Sequence, residues 1–478
     1  MGKMANDKSY KRTEHMMMKR VYNIFAEAIE CILNMNISYI EYTQIFAKIF
    51  GDRLGDNVRS GLPLQLMENN GVLKKLSPST VNSDFCDKLE EYYNNSKKGK
   101  KKENLIFLVY NLDKALKDVS EISLCFEKSV EELMPYNTNF DKTQILLFPK
   151  VRCRWEHKSQ GRCYKNNLEN FIEHFIYVER EHIKGIELHH YIISPSFFRK
   201  FEKKKALKIA VSPITDQDVL ESEEYQRDGN IYFHINALKG EKIVKDNLQS
   251  IIENTVDKKA DILLFPEMLG SEDMIRDMQN TCDFGESPML IVWPSVWENT
   301  KDNIENCNTS IISLHKGKNV LKVCEQHKKN SYLTPNKVIE DLAPQEPWGV
   351  NILTCEGIGR IGVLICKDFL INENRALLCD TLKTTLILVP SYTTGEHNFE
   401  ILLSQRFQND CNIAWCNTCS AANVAGAKIE NFNTIAAVTS YGVKINSVEE
   451  CVHRYEGAAC CAYKNCKDCV FIGEIPFS

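Results

Sequence analysis

From Ala206 onward the sequence repeats one device: a short run of Ile, Leu and Val that stops at a proline, a serine or a charged residue. "LKIAVSPI", "ADILLFPE", "MLIVWPS", "TSIISL", "RIGVLIC" and "TLILVPS" are all of this kind. Runs that are apolar on successive residues suit strands buried on both faces. Between the first two lies "VKDNLQSIIENTV", where Val244, Leu248, Ile251, Ile252 and Val256 recur at helical spacing. Strands of this type alternating with helices predict an α/β fold for residues 206–478.

Residues 1–205 read differently. "VYNIFAEAIECILNM" sets Val21, Phe25, Ala28, Ile29, Ile32 and Leu33 on one stripe of a helix. Shorter helical patterns follow, cut by Gly51, Gly55, Gly61 and Pro63. That rhythm is loosely similar to a winged-helix module, and other small helical bundles share it. "NNSKKGKKKEN" has no apolar residue and reads as a solvated loop or linker. "FFRKFEKKKALKIAV" marks the expected boundary, where a basic segment gives way to a strand. The expected organisation is a mainly helical N-terminal module over 1–205 and an α/β domain over 206–478. A chain of 478 residues is long enough for two such cores.

Charge divides along the same line. Residues 1–205 hold 34 Lys and Arg against 27 Asp and Glu, a net of +7, whereas the rest hold 25 against 37, a net of −12. An acidic second half argues against a nucleic-acid channel there, while the first half permits a protein or nucleic-acid partner. No apolar run reaches the roughly 18 residues of a membrane span. "MGKMANDKSYKRTEHMMMKR" lacks the apolar stretch of a secretion signal, and Gly2 is not followed by a myristoylation pattern. A cytoplasmic protein is expected, in which the 19 cysteines are mostly reduced core residues rather than a disulfide framework.

Three strand ends carry candidate chemistry. "ILLFPEMLGS" delivers Glu267 directly after Pro266, "KVCEQHKKNSYLTP" offers Lys328 and Lys329, and "IGVLICKDF" delivers Cys366. A glutamate can serve as general base on a thiol. An ammonium, with the N–H that follows the nucleophile (that of Lys367), can stabilise a tetrahedral oxyanion. Such a set suits acyl transfer.

With these residues in place, the sequence resembles the nitrilase (carbon–nitrogen hydrolase) superfamily over residues 206–478. "ADILLFPEMLG" is similar to its glutamate motif. "GRIGVLICKDFLINENR" is similar to its cysteine motif, including Asp368, Glu373 and Arg375. "LILVPSY" and "QRFQNDCNIAWCN" resemble the segments that follow, with Arg406 and Asn417 matching. The resemblance implies a nitrilase-like αββα sandwich and a Glu-Lys-Cys triad of Glu267, Lys328 and Cys366. It implies thioester chemistry on a small amide or nitrile with no metal or cofactor, and a homo-oligomer, a dimer or larger. The lysine motif departs from the pattern, so "QHK" favours Lys328 while Lys329 competes. Lys367 replaces the usual aromatic or small residue after the cysteine. Glu340 and Glu346 both compete for the family's second glutamate.

Two readings compete with chemistry. The tail "CCAYKNCKDC" holds Cys460, Cys461, Cys466 and Cys469, a spacing that permits zinc and equally a strand with reduced thiols. The chain also fits a nitrilase-like effector or scaffold with weak or absent catalysis. Nitrilase-like domains that it resembles accompany bacterial reverse transcriptases in phage defence, a link of fold-level analogy only.

Overall fold

The computed structural model describes residues 2–50, 62–63, 66, 76, 80–116, 143–155, 168–170, 172–193, 201, 203–300, 305–334, 336–393, 397–404, 411–423, 435–440 and 469–477. The chain divides into two units, one of 1–121, 137–151 and 158–184, the other of 122–136, 152–157 and 185–478.

The first unit contains α1 (Gly2–Leu33), α2 (Tyr39–Phe50), α3 (Ser83–Lys98) and α4 (Lys102–Ala115). It also contains an antiparallel pair, β1 (Ile145–Pro149) and β2 (Phe175–Glu179). The predicted stripe of α1 is its buried face: Val21, Phe25, Ala28, Ile29 and Ile32 are fully buried and Leu33 half-buried. Arg20 ties α1 to α3 through Asp87 at 2.8 Å and Glu90 at 3.0 Å. The expected loop "NNSKKGKKKEN" is a correction. Its first residues complete α3 and its last begin α4, leaving only Gly99–Lys101 between helices. Lysines at the last turn of α3 complement the helix dipole, so polarity alone does not break a helix here. Most of the segment with winged-helix rhythm lies outside the described residues.

The second unit is mixed α/β. One sheet runs β11 (Asn319–His327), β10 (Glu305–Lys316), β8 (Met289–Val292), β7 (Ile262–Leu264), β4 (Ala206–Val211) and β18 (Phe471–Pro476), with β9 (Val296–Thr300) beside β10. The other runs β17 (Ala436–Thr439), β16 (Asn412–Cys416), β15 (Leu386–Pro390), β14 (Gly359–Val363), β13 (Trp348–Cys355) and β3 (Ile186–Ile192). The sheet thus recruits β3 from before the boundary expected at 205/206. A three-stranded sheet, β12 (Val338–Glu340), β6 (Asn230–Leu238) and β5 (Leu220–Arg227), completes the unit.

The two large sheets face each other, β16 and β17 lying against β4, β7 and β18. Outside the first sheet, α5 (Glu241–Asp257) and α6 (Glu272–Thr281) bury Val244, Leu248, Ile251, Ile252, Met274, Ile275 and Met278 in one core with Leu263, Phe265 and Ile291. Outside the second, the short α7 (Lys367–Leu370) lies between α8 (Asn372–Ala376) and α9 (His397–Ser404), and Phe369, Phe399 and Trp415 stack in sequence. The layering is α, β, β, α, as expected. Among the described residues, no helix is long and apolar enough to cross a membrane.

The sheets approach closely at Gly473 of β18, where an added Cβ would stand 2.3 Å from Cβ of Val438. Gly473→Ala is therefore expected to cost about 1–3 kcal/mol by overpacking. A lower denaturant midpoint at unchanged slope is the signature to look for; an unchanged midpoint would show that β17 yields without cost.

Candidate active site

Four chain segments converge at one end of the facing sheets. Beyond β7, Phe265 N–H bonds Val292 O at 3.1 Å, and Glu267 N–H donates to Ser391 O, just past β15, at 3.2 Å. Met268 follows in a left-handed conformation with φ 65°, its N–H donating to Ser295 Oγ at 2.8 Å. Glu267 is pinned from both sheets and wholly buried.

Lys328 leaves β11 with its N–H on Asn308 O at 2.8 Å. Its Nζ donates to Glu267 Oε1 at 2.6 Å and to Glu340 Oε1 and Oε2 at 2.9 and 2.6 Å. Asn308 Nδ2 donates to Glu267 Oε1 at 2.7 Å and to Glu340 Oε1 at 3.5 Å. Backbone completes the set: Tyr392 N–H donates to the remaining oxygen, Glu267 Oε2, at 3.0 Å, and Tyr332 N–H gives Glu340 Oε2 a second donor at 2.8 Å. Burial works against the charge on Lys328. Glu267 and Glu340 outweigh it and hold the ammonium well above the ordinary lysine range. Burial raises Glu340 and Glu267 repels it, while Lys328 opposes both, so its net displacement is upward.

Cys366 stands between β14 and α7, with its N–H on Pro390 O at 2.8 Å. Its φ of 45° and ψ of −105° lie in a region that a side chain rarely adopts. Such strain persists only where the surroundings impose it. Burial first, then the charge of Glu267, pushes its thiol well above the ordinary cysteine range; Lys328 and the Tyr392 N–H pull the other way. At neutral pH the thiol is protonated, so nucleophilic attack needs a base beside it.

The geometry separates the neighbours that the sequence left open. Lys328 is buried between two carboxylates, whereas Lys329 is exposed, with its Nζ 4.9 Å from the centre of the Trp348 ring. Glu340 joins the cluster and Glu346 is exposed. Lys367 is half-buried at the start of α7. Asp368 accepts from the N–H groups of Lys329 and Asn330 at 2.9 and 2.8 Å, so it fixes the chain just past Lys328. Its burial, opposed by those donors, pushes it up to about 7. Arg375 Nη1 donates to Phe369 O at 2.5 Å, and Asn417 exchanges hydrogen bonds with the Thr393 backbone at 3.0 and 2.8 Å. Arg406, Cys460, Cys461 and Cys466 lie outside the described residues, and Cys469 is buried. Among the described residues, no group of three or more His, Cys, Asp or Glu side chains is placed to hold a metal ion.

Sequence reasoning did not reach Asn308 or the amides of Tyr332 and Tyr392. Asn308 carried a usable signal: a polar residue inside what is one long strand, just before the apolar run "TSIISL". The amides carried none.

No known protein-family profile matches the chain, and no curated protein does. Solved structures similar to it include Saccharomyces cerevisiae Nit3, a member of branch 10 of the nitrilase superfamily, at 14% identity and TM-score 0.38 over 57% of this chain and 91% of that one. An amidase from Nesterenkonia sp. is similar at 17% identity and TM-score 0.32, over 45% of this chain and 77% of that one. The C. elegans NitFhit protein is similar at 14% identity and TM-score 0.35, over 57% and 61%. At such values the chemical reading rests on this chain's own residues.

Proposed function

We propose that the chain is a thiol-dependent carbon–nitrogen hydrolase of the amidase type. The observation that carries this reading is the buried Lys328 ammonium held between Glu267 and Glu340, with a strained, strand-end Cys366 inside the field of all three.

In this reading Glu267 accepts the Cys366 proton as sulfur bonds to the amide carbon. The carbonyl oxygen takes the displaced electron pair and is met by Lys328 and the Lys367 N–H. The proton passes from Glu267 to the leaving nitrogen, the C–N bond breaks, and ammonia or an amine departs from a thioester. Water then attacks the thioester, Glu267 takes its proton, and the acid leaves as the thiol re-forms. A nitrile substrate is the runner-up. The scaffold alternative drew on the irregular lysine motif; the charge-matched burial of Lys328 supports the enzyme instead.

The test is a panel of small amides and nitriles followed by ammonia release, with acid-quenched samples mapped by mass spectrometry. Ammonia together with an acyl adduct on the Cys366 peptide is expected from amides. Turnover of nitriles alone would move the substrate class. Neither release nor adduct from any member would sink the hydrolase reading and leave the scaffold.

A further inference from the structure

Between β4 and α5 the chain makes a hairpin, β5 and β6, turned at Asp228 and Gly229 with φ of 52° and 77°. Glu221, Ser222, Glu223 and Glu224 are exposed, so β5 buries little of its own surface. A hairpin of this kind is marginal by itself. Its inner strand β6 pairs in parallel with β12, matching Ile231 to Val338, Tyr232 to Ile339 and Phe233 to Glu340. The next residue, Asp341, donates its N–H to Phe233 O at 2.9 Å.

Asp341 is 7% exposed, and its side chain collects three donors. They are Arg227 Nη2 at 2.7 Å, Asn306 Nδ2 at 2.6 Å and the Tyr225 hydroxyl. Arg227 in turn lies over the Tyr232 ring at 4.2 Å, and Tyr225 stacks on Tyr232 with centroids 6.0 Å apart. Two adjacent carboxylates therefore do different work: Glu340 holds Lys328, and Asp341 holds the hairpin. Two asparagines on one face of β10 follow the same division: Asn306 serves Asp341, and Asn308 serves Glu267 and, at 3.5 Å, Glu340.

We propose that Asp341 is a positioning residue: by clamping the β5–β6 hairpin onto β12 it fixes Glu340 and, through Glu340, the ammonium of Lys328. The proposal rests on the reading of Lys328 as the cation of the site. Asp341 acts through Glu340 and not on the thiol.

The experiment follows alkylation of Cys366 by iodoacetamide in the full chain, resolved by peptide mass, as a function of pH. The groups whose charges act on that thiol are Glu267, Lys328 and Glu340, with the Tyr332 phenol and the Tyr392 amide beside it; Asp368 faces Lys328 and Glu340. Glu340→Gln removes a negative charge, so the alkylation midpoint moves down. Asp341→Asn and Arg227→Ala are expected to move it down by less, and Arg227→Lys to keep the native profile. Tyr225→Phe, which removes one donor and keeps the ring, gives the smallest shift and guards against a variant that fails to fold. In a Glu340→Gln background, Asp341→Asn is expected to add nothing. A thermal midpoint that falls while the profile stays native would overturn the proposal, as would a full additional shift in that background. Alkylation needs no turnover, so the clamp is read even if no amide is hydrolysed; the hydrolase reading stands or falls on ammonia release.

Discussion

Cys366→Ala is expected to bring amide hydrolysis down to background, a loss of several orders of magnitude, because in the proposed mechanism the Cys366 sulfur forms the acyl intermediate. The fold is expected to survive. Removing one sulfur from a side chain that is 3% exposed leaves a small void, worth roughly 1 kcal/mol. The backbone of residue 366 is held by Pro390 O rather than by the thiol, and alanine meets the φ of 45° with the same Cβ. Turnover should be measured beside thermal unfolding. A folded alanine variant that still releases ammonia at the native rate would remove Cys366 from the mechanism.

Lys328→Met has two expected effects of comparable size. Transition-state charge loses a donor, a factor of about 10²–10³ in kcat. The ground state also suffers, because Glu267 and Glu340 remain buried without their cation, and breaking a buried pair costs about 3–5 kcal/mol. The double variant Lys328→Met with Glu340→Gln separates the two: stability should return while turnover does not. Lys329→Met is expected to be close to native, since that ammonium lies over Trp348 and away from the carboxylates. If Lys329→Met were the silent enzyme and Lys328→Met the active one, the assignment would reverse. Native turnover in both would return the scaffold reading.

Much of the second unit was legible because its strands are buried on both faces. "ADILLFPE" and "RIGVLIC" announce where an apolar run must stop, and those stops are where Glu267 and Cys366 stand. Two lysines in succession give no such signal. Which one turns inward depends on how the chain leaves β11, and that exit is set by Asp368, thirty-nine residues away from Lys329 in sequence. Glu340 and Glu346 were undecided for the same reason, since only pairing of β12 with β6 turns one of them inward. The β5–β6 hairpin escapes the sequence reading, because its exposed face lacks the apolar runs that marked β4, β7, β8, β10, β14 and β15. In the first unit, a run of lysines concealed two helix ends, because solvated residues report exposure and not backbone conformation.

The sheet that supplies Glu267 and Lys328 has Phe471–Pro476 as its neighbour to β4, so an early strand waits for a very late one. During synthesis from the N-terminus, the segments carrying all four clustered residues emerge before that partner exists. The edge of β4 is bare over this interval, so the sheet that carries Glu267 and Lys328 stays open on that side. A chain that stops short of residue 471 therefore carries the four clustered residues on a sheet that lacks its edge strand.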